Sequence, residues 1–539
     1  MLGALALGAC SLDSAGGDPP GSAASTSSSD ASTAASGTSD SASTASTGEG
    51  AGPTSSGGGD GGAGGGTTGD GGSTANAGGG GAGGDGAGGD GAGGSGGQGG
   101  AGGAGGAGGA GGAGGAGGST PVEEWFLRVF GDDNQQVNDV AVSTDGEFLY
   151  VVGTARQAPT TFEESGELDP DGDDIFVAKV SVDGATVAWF QIFGESGDDQ
   201  GKAIAVGQGG LGDRVFIAGT ADGNSGAFAD AFAGEPNARW TFLAELDASL
   251  GDVVGGTSWP DNNINHFVDV AVTAQGAVAV GTVEDNFTDS QRFVSVGDDV
   301  IVATHDFVMN AYETNVIRAP GNQRGTGVAA NPLGSGYATI GEIDFGNDFD
   351  ADFPAVSGDC AAVTSVGEAD VYVAFYHGGN ECRAIRRFGS DSNDHAEAIA
   401  HDGTNVYLAI RAEGVFFSES AGSFVVRASP SAIGWATKLL GNGGDTNIRA
   451  IAVGDDHVGV AGQKSQRGFI QSLAIADGIP GVARDFLDDE SPARALAIRG
   501  SSWFVGGRYT GTPDFGGMIG AQEAATGSDG WVARMAAPL

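Results

Sequence analysis

The sequence predicts an all-β chain: a seven-bladed propeller of four-stranded blades, closed on itself and preceded by a disordered tether rich in Gly, Ala and Ser. Three observations predict it. After Thr120 the chain consists of short apolar runs bounded by Gly, Asp and Asn, with no sustained 3.6-residue apolar period, which is the punctuation of strands. One strand–turn–strand unit recurs seven times. The seventh unit ends one strand short, and a strand without a unit stands at the start of the domain.

Residues 1–10, MLGALALGAC, form an apolar run ending in Leu7-Gly8-Ala9-Cys10. The run resembles the lipobox of bacterial lipoproteins, in which an aliphatic residue and two small residues precede the Cys that is lipidated and becomes the mature N-terminus. The resemblance implies lipidation at Cys10. In that family an Asp after the Cys signals retention in the inner membrane, so Ser11 implies the outer membrane. No Lys or Arg precedes the run and it is short, so the true start is expected further upstream. A chance apolar start is the competing reading. No later stretch approaches the ~20 apolar residues of a spanning helix, so the chain is expected to be anchored and not to span.

Residues 11–120 are almost entirely Gly, Ala, Ser, Thr and Asp, without Lys, Arg or an aromatic residue. Such a segment cannot bury enough apolar surface to offset the entropy of ordering it. As a Gly-rich coil of about 110 residues it would reach roughly 50–65 Å. Its final Gly-Gly-Ala repeats lack the Pro that collagen needs.

All 23 Lys and Arg follow residue 120, with 60 of the 69 acids, nine falling in the tether; residues 121–539 thus carry 23 − 60 = −37. So acidic a domain repels phosphate backbones and anionic lipid surfaces, which excludes nucleic acid as an expected partner and leaves the lipid anchor as the expected membrane contact.

Residues 121–539 form the propeller. The seven cores are VNDVAVSTDGEFLYVVGT from Val137, GKAIAVGQGGLGDRVFIAGT from Gly201, FVDVAVTAQGAVAVGT from Phe267, GTGVAANPLGSGYATIGE from Gly325, AEAIAHDGTNVYLAIR from Ala396, IRAIAVGDDHVGVAGQ from Ile448 and ARALAIRGSSWFVGGR from Ala493. A variable insert and a third strand follow each, as in DIFVAKVSVDG at Asp174, and most have a fourth, as in AWFQIFG at Ala188. Four strands at this spacing are the mark of propeller blades. EEWFLRVFGDD from Glu123 is then the missing fourth strand of the last blade, and its pairing there closes the ring and removes the open edges. A single closed propeller is expected to be monomeric.

The segment Asp174–Thr220, through DIFVAKVSVDG, AWFQIFGESGDD, KAIAV and VFIAGT, resembles the bacterial β-propeller repeat family. The resemblance covers roughly Trp125 to Ala537 and implies a seven-bladed propeller on a secreted or surface protein, with no single activity.

The loops into each first strand and the inserts after each second strand share one face. That face is acidic and elaborated, with long inserts at Ala155 and Asp344, while the turns opposite are short. Binding is expected there; the alternative is that its Asp and Asn only cap turns. Within LDPDGDD, Asp169, Asp171, Asp173 and Asp174 cluster oxygens as a calcium loop does, without the Gly and distal Glu of an EF-hand. Cys360 and Cys382 are an even pair in an exported chain, expected to form a disulfide, with free thiols as the alternative. SVDGATVAW at Ser181 has the wrong spacing for a sialidase Asp box and reads as a tight turn. His395, Glu397 and His401 lie on a strand-like segment and read as a chance grouping, since a zincin pair needs a helix. No catalytic residue is identified. The expected function is non-catalytic binding of a protein or glycan at the cell surface; an inert envelope component or a carbohydrate-active enzyme are the alternatives.

Overall fold

The computed structural model describes residues 122–538, apart from breaks in the loops, the longest at 223–238, 284–296 and 350–359. Cys10 and the Gly-rich segment 11–120 lie outside the described residues. Seven antiparallel blades follow in chain order, each pairing its first strand with its second, its second with its third and its third with its fourth. The inner strands are Gln135–Val142, Gln200–Gly209, His266–Val272, Gln323–Ala330, Asp394–His401, Thr446–Val453 and Ala493–Arg499.

Alternation along each strand explains why the sequence reads as runs and not as an apolar/polar alternation. In the third strand of blade 1, Ile175 and Val177 pack with Ile204, Ile217 and Phe242 of blade 2. The intervening Phe176 and Ala178 pack with Phe504 and Val532 of blade 7. Both faces are therefore core, and odd and even positions must both be apolar. Each wedge between neighbouring blades holds its own buried cluster. The second strand of blade 3, Gly276–Val283, is buried at every position. Each such Val, Ile or Phe contributes roughly 1.5–3 kcal/mol of burial.

Every inner strand carries one β-bulge at the same place, its register slipping across Asn138, Lys202, Val268, Thr326, Glu397, Arg449 and Arg494. The extra residue bends the strand and leaves the ladder locally unpaired. Opposite the bulge six blades place Gly, for example Gly153 and Gly219, where a Cβ would strike the carbonyl oxygen of Gln136 or Gln200. This is the glycine of the recurring VVGT and IAGT ends. Blade 5 departs, with Ile410 in that register.

Closure follows the sequence expectation. Trp125–Gly131 pairs antiparallel with Asp529–Ala536, so the chain's first strand is the outer strand of its last blade. Several side chains rivet the seam. Arg128 bridges to Asp529 at 2.8 Å and to Glu523 at 2.9 Å, while Arg484 holds Glu124 at 2.5 Å. Trp125 Nε1 donates to the Val182 carbonyl in the outer turn of blade 1, and Arg499 reaches the Asp145 carbonyl at 2.8 Å. Part of the blade 1 insert then folds across the seam. Its short strands Thr160–Phe162 and Glu167–Leu168 extend the last sheet beyond the closing strand, with Phe162 buried against Phe190. The edge that closure leaves open is thereby covered.

Cys360 and Cys382 form the disulfide, with Cα atoms 5.8 Å apart. It ties the blade 4 insert to the first residue of that blade's outer strand, and both cysteines join the wedge core between blades 3 and 4. The bridge spans 22 residues of sequence, for which loop entropy gives about 3 kcal/mol. The double variant Cys360→Ser/Cys382→Ser should therefore melt a few degrees lower than the parent under oxidising conditions, and match the parent once both are reduced. Differential scanning calorimetry with and without a reductant checks this.

Candidate functional site

The insert-bearing face and the axial channel are two regions that can hold functional groups. On the insert-bearing face the carboxylates join one loop to the next. Asp370 accepts from the Val366 amide at 2.6 Å and from Arg387 at 2.7 Å. Asp394 takes the Ser390 amide and hydroxyl, and burial pushes it up to about 6. Asp199 accepts from the Asp222 amide at 2.6 Å, Asp298 pairs with Arg324 at 2.9 Å, and Asp529 is held by Arg128 and Tyr509. Short acids at the loop ends therefore cap turns and bind neighbouring loops together.

Of the calcium candidates, Asp173 pairs with Arg156 at 2.9 Å. Asp174 is buried, its carboxylate lying where Gly194 leaves no room for a Cβ. Asp169 and Asp171 lie outside the described residues. Among the described residues no three His, Cys, Asp or Glu side chains converge as a metal site. His395, Glu397 and His401 separate along one strand. His395 sits between Glu342 and Glu413, Glu397 contacts Arg411, and His401 Nδ1 accepts from the Gly403 amide. The SVDGAT segment is a turn, with Gly184 at φ 72° and Ser181 bonded to Asp183. Within the insert at Ala155, Thr160–Phe162 pairs with the closing strand and Glu167–Leu168 pairs with Thr160–Thr161, so this part of the insert covers the closing strand.

The axial channel is the site that unit-by-unit reading missed. The seven bulge residues all line one cavity of about 170 Å³ on the ring axis. The sequence did carry a signal: within units such as GKAIAV, AEAIAH and IRAIAV, one column varies freely between small apolar neighbours. That column is the ring Asn138, Lys202, Val268, Thr326, Glu397, Arg449 and Arg494.

The next position is small in five blades and Asp in blades 1 and 3, and the two Asp side chains do the same work. Asp139 Oδ1 accepts from its own Val140 amide at 2.8 Å, and Oδ2 from Ile204 of blade 2 at 2.9 Å. Asp269 accepts from Val270 and from Val328 of blade 4, both at 2.8 Å. The bulge leaves an amide of the neighbouring inner strand without a ladder partner, and a carboxylate from the blade before supplies it. Enclosure deep in the ring pushes Asp139 up to about 7 and, with the Asp139 charge nearby, Asp269 up to about 8, although the amide bonds pull the other way.

The strand pairing, the common bulge and the shared closing blade define the chain as a seven-bladed β-propeller fastened by its N-terminal strand. No protein-family model matches the chain, and no curated protein sequence matches it. Among solved structures it is similar to the WD40 β-propeller domain of Doa1, at 8% identity and TM-score 0.39 over 76% of this chain and 96% of that one. It is also similar to the Dos1 propeller, at 9% and 0.36 over 75% and 93%. A third is the β-propeller domain of the Trilobed protease from Pyrococcus furiosus, at 7% and 0.39 over 69% and 89%. The blade count and the closure rest on the pairing itself.

The raised carboxyls give stability a direction with pH. A group whose folded pKa lies above its unfolded value of about 4 stabilises the fold fully below that value and loses the contribution as pH rises through the folded pKa. The melting temperature should therefore fall as pH climbs from about 4 and level off above about 7 and 8, the folded values of Asp139 and Asp269. Asp139→Asn/Asp269→Asn, which cannot ionise but leaves one amide per site without an acceptor, should melt below the parent at pH 6 and approach it at pH 9. Melting curves across that range check it; parallel curves would mean that neither carboxyl titrates there.

Proposed function

We propose that the chain is a bacterial surface lipoprotein, anchored in the outer membrane through Cys10, whose propeller is a non-catalytic binding module for a protein or glycan. The observation that carries this reading is where the chain enters the ring. Trp125, at the start of the closing strand, pairs with Arg534 near the end of the third strand and packs over Gly184 in a short outer turn. The described chain thus enters the ring at the short-turn face, opposite the insert-bearing face. A long Gly-rich stalk and a face whose loops are cross-braced by ion pairs suit presentation of a fixed surface to a partner outside the cell. The lipobox-like Leu7-Gly8-Ala9-Cys10 and the repeat resemblance support the same address.

The inserts separate binding from folding. Residues 121–539 would be immobilised, exposed to an envelope extract of the producing cell, and compared with a variant in which 284–296 is replaced by a short Gly-Ser turn. Capture of one partner by the parent and its loss in the variant, at a nearly unchanged melting temperature, is expected. Replacing 157–171 should instead lower the melting temperature, because it strips the hairpin from the closing strand. Equal capture by the parent and the 284–296 variant would count against the reading.

A further inference from the structure

The end of the axial cavity nearer the insert-bearing face holds a cation, Arg494, that the fold leaves uncompensated. Arg449 and Arg494 are the bulge residues of adjacent blades 6 and 7 and both line the cavity. Arg508, near the end of the second strand of blade 7, adds a third positive charge beside Arg494. Arg494 Nε is buried without a hydrogen-bond partner. Among the described residues none of the three guanidiniums forms an ion pair. The other charges of the ring are engaged: Glu397 with Arg411 at 3.3 Å and, through space, with Arg449, Lys202 with Gln200 at 2.5 Å, and Asp139 and Asp269 with two backbone amides each.

This is the reverse of what the composition would supply. A chain of formal charge −46 has carboxylates in excess, yet none is set against Arg494. A partly buried guanidinium facing like charges and lacking a counter-ion is unfavourable, and groups left so are candidates for a ligand. Burial and the charges of Arg449 and Arg508 lower Arg494 to about 10, so it stays protonated at neutral pH. The planar fork of a guanidinium matches the edge of an oxyanion with two parallel N–H···O bonds. The cavity of about 170 Å³ is well below the roughly 300–1,000 Å³ of pockets that enclose drug-sized ligands, so it suits one such group and not a whole saccharide or peptide.

We propose that this end of the channel is a binding site for a tetrahedral oxyanion, phosphate or sulfate, clamped by Arg449 and Arg494 with Arg508 contributing charge. The proposal is independent of the binding assigned to the inserts.

Isothermal titration calorimetry of residues 121–539 at pH 7.5 and constant ionic strength tests it, with inorganic phosphate, inorganic sulfate, glucose 6-phosphate and acetate as probes. Saturable binding of phosphate or sulfate is expected, weakened about tenfold or more by Arg449→Gln and by Arg494→Gln. Competition by glucose 6-phosphate would show that the group is also accepted when carried on a larger molecule, and its failure would show that only the free ion enters. Either outcome keeps the site. Arg494→Met removes the unpaired buried charge, so its melting temperature should rise in phosphate-free buffer. Should Arg494 variants fail to fold, the exposed Arg449→Gln and Arg508→Gln carry the test. No saturable binding, binding untouched by these substitutions, or acetate binding as tightly as phosphate would overturn the proposal.

Discussion

Everything in this fold depends on each blade having a neighbour on both sides. The middle strands bury both faces, as Ile175 and Phe176 do in opposite wedges, so a blade at a free end would expose a whole apolar sheet surface. Only a closed ring satisfies that requirement for all seven. The first and last blades must meet, and the pairing of Trp125–Gly131 with Asp529–Ala536 makes the meeting a hydrogen-bonded ladder inside one sheet. The rivets at Arg128, Arg484 and Arg499 and the hairpin laid over the seam concentrate at the one blade that is assembled from both ends of the described chain.

Closure also creates the axial channel and dictates its chemistry. Seven inner strands converge on one axis, and a bulge in each turns one side chain inward without disturbing the apolar positions around it. That residue escapes the packing constraint on its neighbours, which is why it ranges from Val268 to Glu397 to Arg494. The bulge has a cost, an amide without a ladder partner, and Asp139 and Asp269 offset it across two of the blade junctions at the expense of holding carboxylates deep in the ring. Structural carboxyls and the uncompensated Arg494 thus occupy the same small space for different reasons.

The fold was legible in the sequence because it is a repeat. Blade number, strand order and the missing final strand follow from counting units, and the disulfide from an even pair of cysteines. What a single unit cannot reveal is what units do to one another. The segment Thr160–Leu168 looks like an insert of blade 1, but its pairing partner lies in the closing strand, so its structural role depends on a contact absent from its own unit. Asp139 reads as one more acid in an acidic chain until the unpaired Ile204 amide of the next blade is seen. The meeting of Arg449 with Arg494 and Arg508 was hidden in the same way: they come together only because blades 6 and 7 face one axis. The acids of the insert-bearing face were visible, but their engagement with Arg324, Arg387 and backbone amides was not.

Native-state hydrogen exchange, resolved by residue, tests the central claim that the N-terminal strand is an integral part of the ring. The account predicts that the amides of Trp125–Gly131 which bond to Asp529–Ala536 exchange only with the same global opening as the third strands of the other blades. Exchange of the closing strand at far lower free energy, with Asp529–Ala536 still protected, would mean that the ring is stable without its fastening and would contradict the account.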